Sequence, residues 1–312
     1  MNQINVAYIL DKKFYYPTIV SLQSLCIHAN ENAHYDVYLI CVDLSDNETD
    51  YFDRLSKPNV AIHIINVSSS DVNETIKDKQ LKAVAHVSTA AIYKFSLPNM
   101  VDCDKLLYID GDTIIKTDLL DIFNIELSSH YVAASLDPQS KNARPSNSKW
   151  VRNGPYFNTG VLLMNTKLMR TNNLPDKLLD YRINGINDYM DQDAFNAVIN
   201  YDFVIMPTYY NFSTVLFKSR DLLDFESTCN LPHEQLLSDH VKKASILHFT
   251  GPWKPWNYYN VHGSFIWYKI YRSLHLPTLR RKSLRKVDSK YLLLNYRSEK
   301  RLWNTMRSKN AG

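Results

Sequence analysis

Short apolar runs typical of β-strands alternate with helical patterns through the first 140 residues, and this alternation constrains the fold more than any other sequence feature. Alternating strand and helix patterns predict an α/β fold with a mostly parallel sheet. The first run, NVAYIL, is apolar enough to be buried on both faces, as in a sheet covered by helices on both sides. The predicted strands span residues 5–10, 36–42, 60–67, 105–109, 157–164 and 245–249.

Helical spacing of apolar residues predicts a first helix after Pro17. A capping box that begins at Ser45 predicts a second helix that reaches about residue 55. Residues 138–155 are polar and predict a mobile loop, and further helices are expected to start near Asp193 and Ser264.

Composition excludes several classes of protein. Hydrophobic residues make up 45% and charged residues 22% of the 312 residues, so the chain is not disordered throughout. Seven glycines are too few for a multi-glycine dinucleotide fingerprint, and four scattered cysteines form neither a disulfide framework nor a zinc knuckle. The N-terminus lacks a signal-peptide pattern and no apolar run reaches the ~18 residues of a spanning helix, so we expect a cytoplasmic protein.

Charge is distributed unevenly along the chain. The net charge is +4, but residues 280–312 contain 11 Lys/Arg and only two Asp/Glu. Six aromatic residues accompany this basic region: Trp267, Tyr268, Tyr271, Tyr291, Tyr296 and Trp303. A basic, aromatic segment fits an anionic membrane surface at least as well as a nucleic acid, with a solvated helix as the remaining alternative. We therefore predict two units, a catalytic domain at 1–263 and a helical membrane-association segment at 264–312, without a nucleic-acid partner.

Ligands of open α/β sheets bind beyond the carboxyl ends of the strands, so the residues that follow each predicted strand are the first candidates for a site. Asp11 follows the first strand, and Asp110-Gly111-Asp112 follows the strand at 105–109. Asn165 follows the strand at 157–164, and the sequence TGPWKPW follows the last strand.

The carboxylates Asp110 and Asp112 are the first candidates for a metal site. Two carboxylates that flank a small residue can bind one divalent cation, which in turn bridges phosphate oxygens. The Asp-x-Asp pattern also occurs at 102–104 and 191–193, and an ordinary acidic turn is the alternative for 110–112. Only the pair at 110–112 directly follows a predicted strand, and this context favours it.

Three further residues near strand or helix ends carry suitable chemistry. Imidazole is a competent third metal ligand, although a lone histidine such as His248 is also common in a core. Lys254 lies in a turn made stiff by Pro252 and Pro255, where a fixed positive charge can bind phosphate; a surface lysine is the alternative. Asp191 begins a predicted helix, where capping alone would explain it.

Taken together, these segments resemble the family-8 retaining glycosyltransferases, most closely the bacterial lipopolysaccharide galactosyl- and glucosyltransferases. The resemblance covers roughly residues 4–260, with the matching segments in the same order as in the family. It rests on Asp11 and on the stretches 88–94 (STAAIYK), 106–112 (LLYIDGD), 157–161 (FNTGV), 191–193 (DQD) and 248–256 (HFTGPWKPW). It implies a GT-A fold, in which a Rossmann-like nucleotide-binding sheet precedes the helical basic tail. It also implies a UDP-sugar donor, UDP-galactose or UDP-glucose, and a Mn²⁺ ion, with Mg²⁺ as the alternative.

The resemblance also assigns residues. It implies metal ligation by Asp110, Asp112 and His248, and nucleotide-sugar binding by Ile9, Asp11, Lys94, Asp110, Gly111, Gly251 and Lys254. The sugar and acceptor side would be lined by Asn158, Asp191 and Gln192, of which Asp191 and Gln192 are the catalytic candidates. Lys94 departs from the pattern because relatives generally carry arginine there, and lysine lacks the bidentate fork. Lys13 also departs from it, since relatives often carry a polar residue near the nucleotide.

The expected function is transfer of galactose or glucose, with retention of configuration, to a glycan such as a lipopolysaccharide or lipooligosaccharide core. Retention requires either a nucleophile on the far face of the sugar or same-face attack guided by the leaving diphosphate. We expect the enzyme to lie peripherally on the inner face of the cell membrane, with acceptor loops at 138–155 and 208–230. A metal-dependent hydrolase and a non-catalytic glycan-binding module are the alternatives. No HExxH-type histidine pair supports the hydrolase.

Overall fold

A computed structural model of the chain describes residues 2–72, 89–138, 155–185, 189–217 and 244–283. Most of the predicted polar loop at 138–155, and the tail from residue 284 onwards, lie outside these ranges. Within them, no helix combines the length and apolar composition needed to span a membrane.

Seven strands form the main sheet, in the order β3-β2-β1-β4-β7-β6-β8. They are β1 (Asn2–Leu10), β2 (Ala33–Val42), β3 (Val60–Val67), β4 (Leu106–Ile109), β6 (Val132–Leu136), β7 (Phe157–Met164) and β8 (Val204–Ile205). All neighbouring pairs are parallel except those of β7, which runs antiparallel to both β4 and β6. The predicted α/β fold with a mostly parallel sheet is confirmed.

A second sheet has three strands, the first of which, β5, follows β4 along the chain. It has the order β5-β10-β9 and contains β5 (Thr113–Ile115), β9 (Phe212–Ser213) and β10 (Ile246–His248). The apolar pattern did not predict β5, β6, β8 or β9. These strands are short, and β6 (VAASL) is rich in Ala and Ser, which carry little strand propensity.

Helices flank the strands. They are α1 (Tyr15–His28), α2 (Asp46–Asp53), α3 (Thr89–Met100), α4 (Leu120–Phe123), α5 (Thr166–Thr171), α6 (Leu174–Asn184), α7 (Met190–Ile199) and α8 (Ser264–Ser273). Short 3₁₀ turns cover Thr208–Asn211 and Thr214–Phe217. The predicted capping box is present, since the Ser45 backbone N–H donates to Glu48 Oε2 over 2.8 Å. Helix α7 begins three residues before the predicted Asp193, so Asp191 and Gln192 lie in its first turn.

Both faces of the main sheet are buried. Along β1, Ala7 and Ile9 belong to a core that includes residues of α3, α6 and α7, while Val6 and Tyr8 belong to a second core that includes residues of α1 and α2. This two-sided burial explains why β1 reads as a continuous apolar run rather than an alternating one.

Helix α8 packs on the core. Trp267 and Tyr271 are fully buried, and Tyr271 makes edge contact with Tyr16 of α1. The expectation that these two aromatic residues contact a membrane is therefore wrong. The chain continues to pack beyond α8, because the Arg281 guanidinium lies 3.6 Å from the centroid of the Tyr268 ring. A division of the chain at 263/264 remains a prediction.

Trp267→Ala tests whether α8 is part of the folded core. We expect it to lower the free energy of unfolding by about 3–5 kcal/mol, because a large apolar side chain is replaced by a cavity. Trp253→Ala is the matched control, since Trp253 is 55% exposed and its loss should cost within about 0.5 kcal/mol. Equilibrium urea unfolding measures both variants, and equal small losses would contradict the packing of α8.

Lys116 provides a test of buried charge. Burial lowers the pKa of this lysine to about 8, whereas an unfolded lysine titrates near 10.4. Below pH 8 the folded state carries the full cost of the buried ammonium group. Between pH 8 and 10.4 the folded state releases the proton while the unfolded state keeps it, so stability rises with pH.

We expect the unfolding free energy of the wild type to gain about 2 kcal/mol relative to Lys116→Met between pH 7.5 and 9.5. Chemical denaturation across that range measures the difference. Lys177→Met, at an exposed lysine of α6, should show no such trend. A difference between wild type and Lys116→Met that stays flat with pH would contradict the assigned burial of this charge.

Candidate active site

The predicted site residues converge at one edge of the main sheet. Asp110 follows β4, and its backbone N–H donates to Gly160 O of β7 over 2.7 Å. Because β7 runs antiparallel, its amino end at Asn158–Gly160 lies at the edge where β4 ends. Asn165, at the other end of β7, instead caps α5 through Oδ1, which accepts the Leu168 N–H. The strand-end rule was therefore wrong for Asn165, since it assumed a parallel strand.

Asp110, Asp112 and His248 each place one ligand atom at a common point. His248 Nε2 lies 3.7 Å from Asp110 Oδ2 and 3.3 Å from Asp112 Oδ1, and the three ligand atoms lie within 4.8 Å of one another. The register of the small sheet causes this, because His248 of β10 pairs with Thr113, the residue directly after Asp112. The donor set of two carboxylates and one imidazole fits a divalent cation.

The second oxygen of each carboxylate is occupied by the protein. Asp110 Oδ1 accepts from the Tyr108 hydroxyl over 2.5 Å and from Lys94 Nζ over 3.3 Å. Asp112 Oδ2 accepts from Lys254 Nζ over 2.5 Å. In each carboxylate, one oxygen is therefore fixed by hydrogen bonds from the protein and the other faces the shared point. Outer hydrogen bonds of this kind orient metal ligands.

The charge state of this cluster favours cation binding. Burial opposes ionisation of Asp112, but His248 and Lys254 outweigh it and hold the pKa of that carboxyl well below its usual range. Burial and the nearby Asp110 raise the pKa of the Tyr108 phenol, so the phenol stays protonated as a donor. Asp112 is thus an acceptor at neutral pH.

Two glycines allow this arrangement. A Cβ atom at Gly160 would overlap the His248 ring and lie 2.9 Å from Asp110 Oδ2, so only glycine leaves room for both ligands. Gly251 has φ +78°, a left-handed conformation that glycine adopts without strain, and the chain turns there to bring Lys254 back to Asp112. Gly160 stood inside the FNTGV stretch, but sequence reasoning assigned it no role.

Lys94 of α3 is buried between two carboxylates. Its Nζ lies 2.6 Å from Asp191 Oδ2 and 3.3 Å from Asp110 Oδ1, and it also donates to Thr159 O. Burial disfavours the charge, but Asp110 and Asp191 outweigh it and raise the pKa of Lys94 above its usual value. The three donors of this lysine are thus used within the protein. Its side chain holds two site carboxylates together.

Amide side chains line the neighbouring part of the site. Gln192 Oε1 accepts from Asn158 Nδ2 over 3.1 Å and from the Thr159 backbone N–H over 3.3 Å. Gln192 Nε2 donates to Asp137 Oδ2 over 2.9 Å, and Asn158 Nδ2 donates to the same oxygen over 3.0 Å. Both functional atoms of Gln192 are therefore committed.

A cleft of about 380 Å³ joins these residues. Eight predicted residues line it: Asp110, Asp112, Asn158, Asp191, Gln192, His248, Gly251 and Lys254. A larger groove of about 710 Å³ runs along α6 and α7, but none of the predicted site residues lines it. The converging charges, rather than the volume, identify the smaller cleft as the candidate site.

Four predicted nucleotide-sugar residues lie outside that lining. Ile9 contributes its side chain to the core, Lys94 lies between the two carboxylates that it joins, and Gly111 lies in the turn between β4 and β5. Asp11 Oδ1 accepts the backbone N–H groups of Lys13 and Phe14, so this carboxylate closes the turn into α1. Their assignment to the nucleotide sugar stays a prediction.

Sequence reasoning missed several polar residues of the site, among them Asp137 and Asn211. Asp137 directly follows β6, so the strand-end rule would have found it if that strand had been recognised. Asn211 ends a 3₁₀ turn before the two-residue strand β9 and lies in the segment expected to form an acceptor loop. Its Oδ1 is 2.9 Å from His248 Nδ1. No local pattern marks this contact.

Comparison with known proteins gives the relationships of the chain. Residues 5–260 match the family described as Glycosyl transferase family 8. The lipopolysaccharide 1,2-glucosyltransferase of Escherichia coli (strain K12) is 25% identical over 274 residues, which are 86% of this chain and 77% of that protein.

Solved structures share the fold at lower identity. The apo structure of the bifunctional glycosyltransferase WbbM has a TM-score of 0.71 and 22% identity, covering 89% of this chain and 50% of that one. The galactosyltransferase LgtC, in complex with donor and acceptor sugar analogues, has a TM-score of 0.64 and 18% identity, covering 92% and 99%. The mostly parallel α/β fold is therefore GT-A-like, as the resemblance implied. The match over residues 5–260 shows that this chain belongs to glycosyltransferase family 8.

Proposed function

We propose that this glycosyltransferase moves galactose or glucose from a UDP-sugar to a glycan acceptor, in a metal-dependent reaction that retains the anomeric configuration. The observation that carries the proposal is the convergence of Asp110 Oδ2, Asp112 Oδ1 and His248 Nε2 in the cleft that Lys254 also lines. Oxygen and imidazole ligands beside a fixed cation are the groups that a metal–diphosphate needs.

The three ligands would hold Mn²⁺, with Mg²⁺ as the alternative. When bound, such an ion would neutralise charge on the nucleoside diphosphate as it leaves the sugar. Lys254 adds a second positive charge. It uses two of its three N–H donors on Asp112 and Phe249 O, and among the described residues no acceptor takes the third, which can donate to a phosphate oxygen. Because negative charge grows on the leaving diphosphate, this contact strengthens as the bond breaks.

On the sugar side, the contacts favour Asp191 over Gln192 as the group that faces the anomeric carbon. Asp191 Oδ2 accepts from Lys94 and from the Thr159 hydroxyl, whereas among the described residues no group donates to Oδ1. Both functional atoms of Gln192 are already bonded. A carboxylate oxygen free in the cleft would stabilise the positive charge that develops on the sugar ring. Gln192 then acts by holding Asn158 in place.

The donor and acceptor are proposed from relatives. One relative is named as a lipopolysaccharide glucosyltransferase and one structural neighbour as a galactosyltransferase. Both names specify a hexose, so a hexose donor is the common part. We propose a lipopolysaccharide core or another cell-surface glycan as the acceptor. Family membership supports a transferase over the hydrolase and binding-module alternatives.

Asp110→Asn combined with Asp112→Asn tests the metal-dependent reaction. We expect wild type with Mn²⁺ to release UDP slowly from UDP-galactose or UDP-glucose without an acceptor, and EDTA to stop this release. The double variant should lose at least about 100-fold in release, because two metal ligands become neutral amides. An enzyme-coupled assay for UDP measures the rate.

The matched control is Asp102→Asn combined with Asp104→Asn, at a second Asp-x-Asp sequence outside the cleft. Its release rate should equal that of wild type. If the enzyme reacts only when an acceptor is present, wild type will release no UDP. Calorimetric titration of wild type with UDP and Mn²⁺ should then still detect binding. If wild type shows no UDP release and no UDP binding, the proposed donor is wrong. If EDTA does not affect the release, the proposed metal dependence is wrong.

We further propose that the tail places the enzyme on the inner face of the membrane. Residues 284–312 contain eight Lys/Arg and two Asp/Glu, together with Tyr291, Tyr296 and Trp303. A basic residue near an anionic lipid surface contributes about 1 kcal/mol. Arg281 belongs to the folded part, because it hydrogen-bonds Ser264 Oγ over 3.1 Å. A truncation should therefore end at residue 283.

Co-sedimentation with vesicles of phosphatidylserine and phosphatidylcholine tests this placement. We expect a chain truncated after residue 283 to lose at least about tenfold in vesicle binding, and a full-length variant with the eight tail Lys/Arg replaced by Gln to lose a similar amount. Vesicles of phosphatidylcholine alone are the lipid control. Equal sedimentation of the wild type and both variants would remove the membrane proposal and leave the enzymatic one intact.

A further inference from the structure

We propose that Asn211 is a positioning residue that orients the His248 ring, with Nδ1 toward the Asn211 carbonyl oxygen, and links this metal ligand to the amides of the sugar side. The inference rests on the proposed metal site. Asn211 and His248 are both buried, at 3% and 4% exposure, and Asn211 Oδ1 lies 2.9 Å from His248 Nδ1. His248 Nε2 is the atom that faces Asp110 and Asp112.

A backbone donor fixes the direction of every hydrogen bond in this chain of amides. The Gly160 N–H donates to an atom of the Asn158 amide over 2.9 Å, so that atom must be the oxygen. The Asn211 group that lies 2.8 Å from the same oxygen must be a donor, and it is therefore the NH₂ group. The remaining Asn211 atom, next to His248, is consequently the carbonyl oxygen.

The tautomer of His248 follows from this direction. A carbonyl oxygen only accepts, so His248 Nδ1 must carry a proton. In the neutral ring, Nε2 then presents its lone pair to the point where Asp110 Oδ2 and Asp112 Oδ1 converge. This is the form of imidazole that ligates a metal, and a partner on the other ring nitrogen is what selects it.

The same amides reach the sugar side. Asn158 Nδ2 donates to Gln192 Oε1 and to Asp137 Oδ2, so the path from His248 passes through Asn158 to Gln192 of the sugar side and to Asp137. The backbone around Asn211 does not depend on this side chain, because β9 pairs with β10 through Phe212 and Ser213. The Asn211 side chain therefore acts on orientation, whereas strand pairing holds the segment.

Two substitutions separate the two hydrogen bonds of Asn211. Asn211→Leu removes both, whereas Asn211→Asp keeps an oxygen for His248 Nδ1 and removes the donor to Asn158. We expect the Mn²⁺ dissociation constant, measured by electron paramagnetic resonance with UDP present, to rise about 10–100-fold in Asn211→Leu. It should stay within about threefold of wild type in Asn211→Asp. Asn5→Leu, a part-buried asparagine in β1 outside the cleft, is the matched control and should bind Mn²⁺ as wild type does.

The outcomes separate the inference from the proposed function. If wild type binds no Mn²⁺, the proposed metal site is wrong. If wild type binds Mn²⁺ and both Asn211 variants match it, or both lose affinity equally, the role of Asn211 is wrong. Thermal unfolding in EDTA verifies that each variant is folded.

A measurement on wild type covers the case in which the leucine variant does not fold. Imidazole ¹⁵N spectra of the metal-free protein at pH 8 distinguish the two tautomers, and the signal absent from His248→Gln assigns His248. We expect the proton on Nδ1. An unprotonated Nδ1 would overturn the inference.

Discussion

The candidate site depends on the neutralisation of three carboxylates by two lysines in one partly buried cleft. Asp110, Asp112 and Asp191 would repel one another because they are close together and partly removed from water. Desolvation alone would favour their protonated forms. Lys94 joins Asp110 to Asp191, and Lys254 binds Asp112. Each lysine leaves one oxygen of its carboxylates directed into the cleft. The same lysine–carboxylate ion pairs therefore balance the charge of the site and orient the carboxylates.

The direction of β7 brings the two halves of the site together. As the one reversed strand of the main sheet, it presents its amino end where the parallel strands present their carboxyl ends. Asn158 and Thr159 thereby reach Gln192 and Asp191, while Gly160 leaves space for His248. A parallel strand in this position would have placed Asn165 here instead. The residues proposed to bind the metal and the sugar are thus adjacent because of one strand reversal.

Local patterns were sufficient for the long elements and for residues directly after them. The two-sided apolar run of β1, the helical spacing in α1 and the capping box of α2 each appear as predicted. Asp110 and Asp112 follow a recognisable strand. Asp137 was missed because β6 is short and poor in β-branched residues, and Asn211 because its partner His248 lies 37 residues away. Trp267 was misjudged because basic neighbours in sequence do not reveal that its ring faces the core.

The sequence by itself determined the α/β class, the family resemblance and the residue types that could bind a metal and a diphosphate, because periodicity and motif order are local or collinear properties. Only the tertiary structure decided which oxygen of each carboxylate faces the cleft, which nitrogen of His248 faces Asn211 and that Lys94 is fully engaged. Those properties depend on hydrogen bonds between residues distant in the chain, and the direction of a hydrogen bond is defined only when both partners are in place.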